Sequence, residues 1–230
     1  MERVKTHIKG FDELVEGGLP KNSVNLLTGD AGTGKTIFSL EYLYNVAIKD
    51  KKNCIYFTFE EKKESLITQA EQFGWDLKKL ENKKKGSLRI IDIGYEDISK
   101  NTINDILEII NNTKTTSVVI DSITTLAFLA PKNSQNYISD DNEIKKFIYQ
   151  FLTKLKSISR LTSLIISQED SIIINSIAKY ICDGVIGIKY ESMGGDYSRS
   201  MIIKKMRKTK NNEDIHPLEI SDKGINIHNL

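Results

Sequence analysis

The chain has 230 residues, of which 39% are hydrophobic and 28% are charged, and its formal net charge is +2. These values are ordinary for a soluble globular protein, and they suit a single domain, 1–230, with a full hydrophobic core. The small net charge excludes a strong overall electrostatic attraction to nucleic acid or to membranes.

Strands and helices are predicted to alternate after a turn-rich segment at 16–23. Apolar and β-branched runs predict the strands, and apolar residues at helical spacing predict the helices. The predicted strands are 24–29, 54–59, 88–93, 117–121 and 163–167. The predicted helices are 36–49, 63–73, 103–113 and 142–159. This order is typical of an α/β fold in which helices flank a mostly parallel central sheet.

The last part of the chain is predicted to form hairpins rather than alternating strands and helices. Two predicted strands, 184–190 and 198–207, flank a Met-Gly-Gly-Asp segment, and Gly-Gly favours a tight hairpin turn. A second short hairpin is predicted from 217–221 and 224–228. We therefore expect a C-terminal antiparallel β extension of the parallel sheet.

Two cysteines, Cys54 and Cys182, lie in apolar runs without CxxC spacing or a nearby histidine cluster. This pattern is typical of buried free thiols in a reducing cytosol. The opening MERVKTHIKGFDEL is too polar for a signal peptide, and no apolar run approaches the ~20 residues that span a bilayer. We therefore expect a cytoplasmic protein without a membrane partner.

Residues 29–36 read GDAGTGKT, which matches the phosphate-binding pattern GxxxxGK[ST]. Glycines let successive backbone N–H groups point into one concavity, and the following helix directs its positive end there. Lys35 can reach the β- and γ-phosphates, and Thr36 can bind Mg²⁺. The flanking strand and helix are those that the motif requires. The predicted nucleotide-binding residues are Gly29, Asp30, Ala31, Gly32, Thr33, Gly34, Lys35 and Thr36.

Asp121 ends the hydrophobic strand SVVID and is the predicted partner of Thr36 in holding Mg²⁺, usually through water. The alternative is a simple helix cap, because Asp and Ser are both good N-caps. Phosphoryl transfer needs such an acid near the P-loop, which favours the magnesium role.

Two adjacent carboxylates, Glu60 and Glu61, follow the strand CIYFTF. Many P-loop ATPases carry a Glu directly after the Mg²⁺-linked Asp, but position 122 here is Ser. Parallel strands end at the same sheet edge as the P-loop, so this pair is the best candidate for activating the attacking water. The two carboxylates would titrate as a pair, and the sequence leaves open which of them contacts the water.

Together these motifs resemble the KaiC-like branch of the RecA-type ATPases. Residues 10–45 are similar to the N-terminal block of a KaiC domain, and FTFEE with FGWDL at 73–77 is similar to the next block. KKMRKT at 204–209 and the segment 216–227 are similar to the C-terminal block. The resemblance implies a RecA-like P-loop NTPase that uses ATP and Mg²⁺, with Glu60 and Glu61 as catalytic glutamates and Glu60 as the first choice of base.

The resemblance also implies a homo-oligomeric ring, often a hexamer, with ATP at each subunit interface. By matching position, Lys205 and Arg207 would reach a neighbour's γ-phosphate, as an arginine finger does. The alternative is a solvated basic edge strand that resists aggregation. The chain resembles single-domain archaeal KaiC-like proteins and is too short for the two domains of clock-type KaiC, so we do not expect autophosphorylation or circadian timing to carry over.

The expected function is slow ATP hydrolysis in a regulatory or signalling role, with an unidentified protein as a further partner. One alternative is a non-enzymatic switch in which ATP binding drives assembly. Another is a RecA- or RadA-like DNA-dependent ATPase, in which loops at 130–139 and 168–177 would bind single-stranded DNA. Those segments carry few basic or aromatic residues, which argues against nucleic acid. A small-molecule kinase is also disfavoured, because the few arginines are scattered.

Overall fold

The computed structural model describes residues 1–97, 99, 101–127, 141–191 and 198–229. The strands are β1 (Arg3–Val4), β2 (Leu19–Pro20), β3 (Val24–Gly29), β4 (Cys54–Thr58), β5 (Leu88–Asp92), β6 (Ser117–Asp121), β7 (Thr162–Gln168), β8 (Gly184–Tyr190), β9 (Arg199–Met206), β10 (Ile215–Ser221) and β11 (Gly224–Ile227). The helices are α1 (Phe11–Leu14), α2 (Lys35–Lys49), α3 (Lys63–Gln72), α4 (Thr102–Asn112), α5 (Ile123–Ala127), α6 (Asp141–Lys156) and α7 (Ile172–Ile181).

Nine of the described strands form one sheet in the order β11-β10-β9-β8-β3-β7-β6-β4-β5. The six strands from β8 to β5 in this order pair in parallel, whereas β9, β10 and β11 pair antiparallel beside β8. The predicted fold class, a mostly parallel sheet with flanking helices and an antiparallel C-terminal extension, is therefore confirmed.

The central strands are buried on both faces, as the apolar runs in their sequences predict. β3, β4 and β6 are buried along their whole length, which is typical of parallel strands covered by helices. One apolar cluster joins the sheet to α2 and α3 through residues such as Phe38 and Leu43. A second cluster joins the other face to α4, α5, α6 and α7 through residues such as Phe151 and Ile106.

One prediction about the connections was wrong. The segment 168–177 was predicted to be a loop, but Ile172–Ile181 forms helix α7. Its buried residues, Asn175, Ala178 and Ile181, recur every three positions and pack one face of the helix onto the protein. The predicted loop at 130–139 and the Gly-Gly turn at 193–196 lie outside the described residues.

Both cysteines, Cys54 and Cys182, are buried and free, as predicted. None of the helices that the structure describes combines the length and the apolarity that crossing a bilayer requires.

The C-terminal hairpin packs against α2 through a buried carboxyl group. Glu41 is 7% exposed, and its Oε2 accepts a hydrogen bond from the backbone N–H of Ile225 at 2.7 Å. Gly224 lies so close that a Cβ there would stand 2.5 Å from the same oxygen. Burial raises the pKa of Glu41 to about 7, and the hydrogen bond from Ile225 opposes this rise.

We predict that Glu41→Gln removes a pH-dependent loss of stability. Between about pH 4.5 and 7 the folded state keeps Glu41 protonated while the unfolded chain loses the proton, so the free energy of unfolding falls as pH rises. Glutamine still offers an acceptor to Ile225 but does not titrate. The free energy of unfolding of the variant, relative to that of the wild type, should rise by up to about 3 kcal/mol between pH 5 and pH 8. Urea unfolding at each pH measures it. The exposed control Glu64→Gln should show no such gain, and equal behaviour of both variants would contradict the assignment.

Candidate active site

The loop between β3 and α2 turns tightly at the carboxyl edge of the sheet. Gly32 and Gly34 have φ angles of 77° and 104°, which lie in the left-handed region that favours glycine. The N–H and hydroxyl of Thr33 both donate to the carbonyl of Asp30, at 3.3 and 2.9 Å. Helix α2 begins at Lys35 without a side-chain cap. Its first N–H groups therefore remain available to an anion.

Lys35 folds back over this loop. Its Nζ donates to the carbonyls of Gly29 and Asp30 at 2.9 and 2.8 Å. Burial lowers the pKa of Lys35, and the nearby carboxylates of Asp121 and Glu60 act in the opposite direction. An incoming phosphate would neutralise this ammonium, which fits the role that the motif predicts.

Asp121 lies beside Thr36, across the ends of β6 and α2. Its Oδ2 accepts hydrogen bonds from Thr36 Oγ1 at 3.2 Å and from Tyr56 OH at 2.5 Å. Burial raises the pKa of Asp121 to about 6, and the hydrogen bond from Tyr56 opposes this rise. Burial also raises the pKa of Tyr56 well above its ordinary value, so it acts as a donor here. A hydroxyl and a carboxylate are oxygen ligands of the kind that Mg²⁺ takes, so Thr36 and Asp121 fit a magnesium site.

Glu60 turns toward the end of β6. Its Oε1 accepts hydrogen bonds from Ser122 Oγ and Thr125 Oγ1, both at 2.7 Å. Because Thr58 pairs with Asp121 in the β4–β6 register, residues just beyond both strands are brought together. The structure therefore places Glu60 on the same side as Asp121 and the P-loop lysine.

Glu61 turns the other way, toward α3. Its Oε2 accepts hydrogen bonds from Ser65 Oγ at 2.9 Å and from Gln69 Nε2 at 2.7 Å. Its backbone N–H donates to Thr58 Oγ1 at 3.1 Å. The two adjacent carboxylates thus have different partners, which the sequence alone left open.

Lys205 and Arg207 lie at the carboxyl end of α7, where they cap the carbonyls of 179–182. Lys205 Nζ donates to two of these carbonyls at 2.9 and 2.7 Å, and Arg207 donates to two others at 3.2 and 2.9 Å. β9 is antiparallel to β8, and Lys205 pairs with Val185 near the start of β8. Both side chains therefore lie at the sheet edge opposite to their own P-loop, and the structure does not bring them together with the other candidate residues.

An interaction that the sequence analysis missed holds the tip of the P-loop. Tyr190, at the end of β8, donates its hydroxyl to the carbonyl of Gly32 at 2.7 Å. Arg199 donates to the Tyr190 oxygen at 3.3 Å and to the Gly32 carbonyl at 3.4 Å, and its guanidinium stands 4.9 Å from the Tyr190 ring centre. A Cβ at Gly32 would lie 2.9 Å from the Tyr190 hydroxyl. No local sequence pattern identifies this contact, because it depends on β8 lying beside β3 and ending at Tyr190.

These features combine a phosphate-binding loop with acids at neighbouring strand ends, and a model of the KaiC ATPase family matches residues 4–230. The chain belongs to the KaiC ATPase family. The resemblance inferred from the motifs is therefore confirmed, and this KaiC-family chain has a RecA-like fold with an ATP-binding P-loop.

Among its KaiC-family relatives, the UPF0273 protein of Thermotoga maritima is 33% identical, and the match covers 99% of this chain and 96% of that protein. The UPF0273 protein PH0284 of Pyrococcus horikoshii is 34% identical, with 98% and 94% covered. The circadian clock oscillator protein KaiC of Synechococcus elongatus is 30% identical, but the match covers 44% of that longer protein. The crystal structure of the KaiC-like protein PH0186 from Pyrococcus horikoshii has a TM-score of 0.84 at 29% identity, with 99% of both chains covered.

We predict that Tyr190→Phe weakens ATP binding about threefold to tenfold, because it removes the hydroxyl that holds the Gly32 carbonyl but keeps the ring. The thermal unfolding midpoint should change little, since Tyr190 is 51% exposed. Titration with a fluorescent ATP analogue measures the affinity. Tyr149→Phe on α6, where the ring is 53% exposed, is the matched control and should leave the affinity unchanged. Equal affinities for both variants would show that the Tyr190 contact does not support the loop.

Proposed function

We propose that this KaiC-family chain acts as one ATPase domain, 1–230, that hydrolyses ATP slowly at the subunit interfaces of a homo-oligomeric ring. The observation that carries the proposal is the position of Glu60. It stands beyond β4, beside Asp121 at the end of β6, and interacts electrostatically with both Asp121 and Lys35. A carboxylate in this place is suited to act on a water that attacks a phosphate bound by the P-loop.

The chain's own groups divide the work of hydrolysis. The N–H groups of the P-loop and Lys35 would bind and orient the β- and γ-phosphates. Mg²⁺, held by Thr36 and by Asp121, would offset negative charge on these phosphates when bound. Glu60 would accept a proton from the water as the water oxygen bonds to the γ-phosphorus. The bond from the γ-phosphorus to the oxygen that bridges it to the β-phosphate would break, so that ADP leaves and phosphate forms.

The hydroxyls of Ser122 and Thr125 would orient Glu60 for this step. Both donate to Oε1 at 2.7 Å, which leaves Oε2 to face the water. Glu61 is held by α3 through Ser65 and Gln69, so its proposed role is to fix the end of β4 rather than to act as the base.

We predict that Glu60→Gln lowers the single-turnover rate of ATP cleavage by about 100-fold or more, since it removes the proton acceptor. ATP affinity should stay within about threefold, because glutamine keeps the size of the side chain and an oxygen for Ser122 and Thr125. Glu61→Gln is the matched control, and its rate should fall less than about tenfold. A larger loss for Glu61→Gln than for Glu60→Gln would overturn the assignment of the base.

The ring and the role of Lys205 and Arg207 are linked proposals. The two cations lie at the sheet edge opposite to their own P-loop, so they could contact only a neighbour's γ-phosphate. A ring in which one protomer's Arg207 faces the next protomer's P-loop would give every site an arginine finger. Arg207 also caps the carboxyl end of α7 in its own chain. A test of its catalytic role must therefore separate an effect on catalysis from an effect on folding.

We predict that mixing Lys35→Ala with Arg207→Ala restores ATPase activity, although each variant alone is inactive. In the mixture, an intact P-loop of an Arg207→Ala protomer would face an intact Arg207 of a Lys35→Ala protomer. Phosphate release from the mixture, compared with the sum of the separate variants, measures this complementation. If Arg207 served only to cap α7, the mixture would equal that sum.

We further propose that the protein has a regulatory role in the cytoplasm. A protein partner would bind the nucleotide-bound assembly and not the nucleotide-free one. A slow cycle holds each nucleotide state long enough for such a partner to bind. The two free, buried thiols support a reducing compartment. In the part of the chain where a DNA-binding loop was predicted, helix α7 begins at Ile172, which further disfavours the DNA-dependent alternative.

A further inference from the structure

A cavity of about 460 Å³ lies at the amino ends of the parallel strands. Its walls include Lys21 before β3, Lys52 before β4, Arg160 before β7, Thr116 before β6 and Ser117 at the start of β6. Because these strands are parallel and the P-loop follows β3, the cavity is at the opposite edge from the chain's own P-loop. Its volume is in the range that small-molecule sites occupy.

Cations outnumber carboxylates on the walls of this cavity. The cations are Arg3, Lys21, Lys52 and Arg160, and the carboxylates are Glu2 and Asp50. Both carboxylates are already paired, Glu2 with Lys21 and Asp50 with His7 Nε2 at 2.9 Å. Arg3 pairs with Glu16 outside the cavity. Within the described ranges, Lys52 and Arg160 form no ion pair. His7 carries no formal charge at pH 7, so the walls keep these two unpaired cations against the single negative charge of Asp50.

Arg160 is fixed in place but not fully bonded. Its Nη2 donates to the backbone carbonyl and to the side-chain Oδ1 of Asn111, both at 3.2 Å. Its Nε is buried and has no hydrogen-bond partner among the residues described. The buried Nε cannot reach a ligand, whereas Nη1 is accessible and forms no hydrogen bond within the described residues. Its two N–H groups are therefore suited to bind phosphate oxygens.

We propose that this cavity binds a small, multiply charged anion that bears phosphate groups. Arg160 would grip one phosphate through its free N–H groups, and Lys52 would neutralise a second charge. Thr116 and Ser117 complete the same wall, with their hydroxyls bonded to the carbonyl of Asn53 at 3.4 Å and to Tyr42 OH at 3.2 Å. A phosphate is favoured over a single carboxylate because it places more than one negative charge between the two free cations. This edge of the sheet also carries Arg207, so the proposed ring would bring a neighbouring chain close to the cavity, although the proposed hydrolysis uses none of the cavity's residues.

Calorimetric titration with inorganic pyrophosphate tests this proposal. The protein titrated is the full chain with the substitution Lys35→Ala, which weakens binding of pyrophosphate at the P-loop. We expect saturable binding of one pyrophosphate per protomer. Adding Arg160→Gln, or separately Lys52→Gln, should weaken it about tenfold. Lys51→Gln is the matched control, because Lys51 loses the same charge one residue away but does not line the cavity.

The following outcomes would contradict the proposed phosphate site. Absence of saturable binding to the Lys35→Ala chain would overturn it, as would equal weakening by Lys51→Gln, which would indicate diffuse electrostatic attraction. Binding that is lost on dilution to a monomer, seen by light scattering, would assign the cations to a neighbouring chain's nucleotide instead. If Arg160→Gln unfolds, as circular dichroism would show, the exposed Lys52→Gln decides alone.

Discussion

The parallel pairing of β3, β7, β6 and β4 is the constraint on which the candidate site depends. It brings the P-loop after β3, Asp121 at the end of β6 and Glu60 beyond β4 to one edge of the sheet. A one-residue slip between β4 and β6 would turn the side chains of one strand to the opposite face. The apolar clusters on both faces of the sheet resist such a slip, because it would expose buried residues.

Burial and charge work together at this edge. Burial raises the pKa of Asp121 and lowers the pKa of Lys35, so each group is pushed toward its neutral form. Their mutual attraction, with hydrogen bonds from Thr36 and Tyr56, offsets part of this cost. A phosphate beside Lys35 and a cation beside Asp121 would offset more of it.

Much of this arrangement could be predicted from local sequence. The P-loop, the core strands and Asp121 could each be predicted from a short run of neighbouring residues, because their identification needs no residue from elsewhere in the chain. The directions of Glu60 and Glu61 could not be predicted, because they depend on Ser122 after β6, on Thr125 in α5 and on the packing of α3. The contact of Tyr190 with Gly32 joins residues 158 positions apart and depends on where β8 ends. Helix α7 was missed although Ser176, Lys179 and Tyr180 lie on one side of it and the buried Ala178 and Ile181 lie on the other.

We propose that each hydrolytic site is completed by a second protomer. The most direct test is the ATPase rate per protomer at saturating ATP, measured over a dilution series in which light scattering reports the assembly. We expect the rate to fall as the ring dissociates, while one ATP still binds to each protomer. An unchanged rate per protomer in a fully monomeric solution would contradict it.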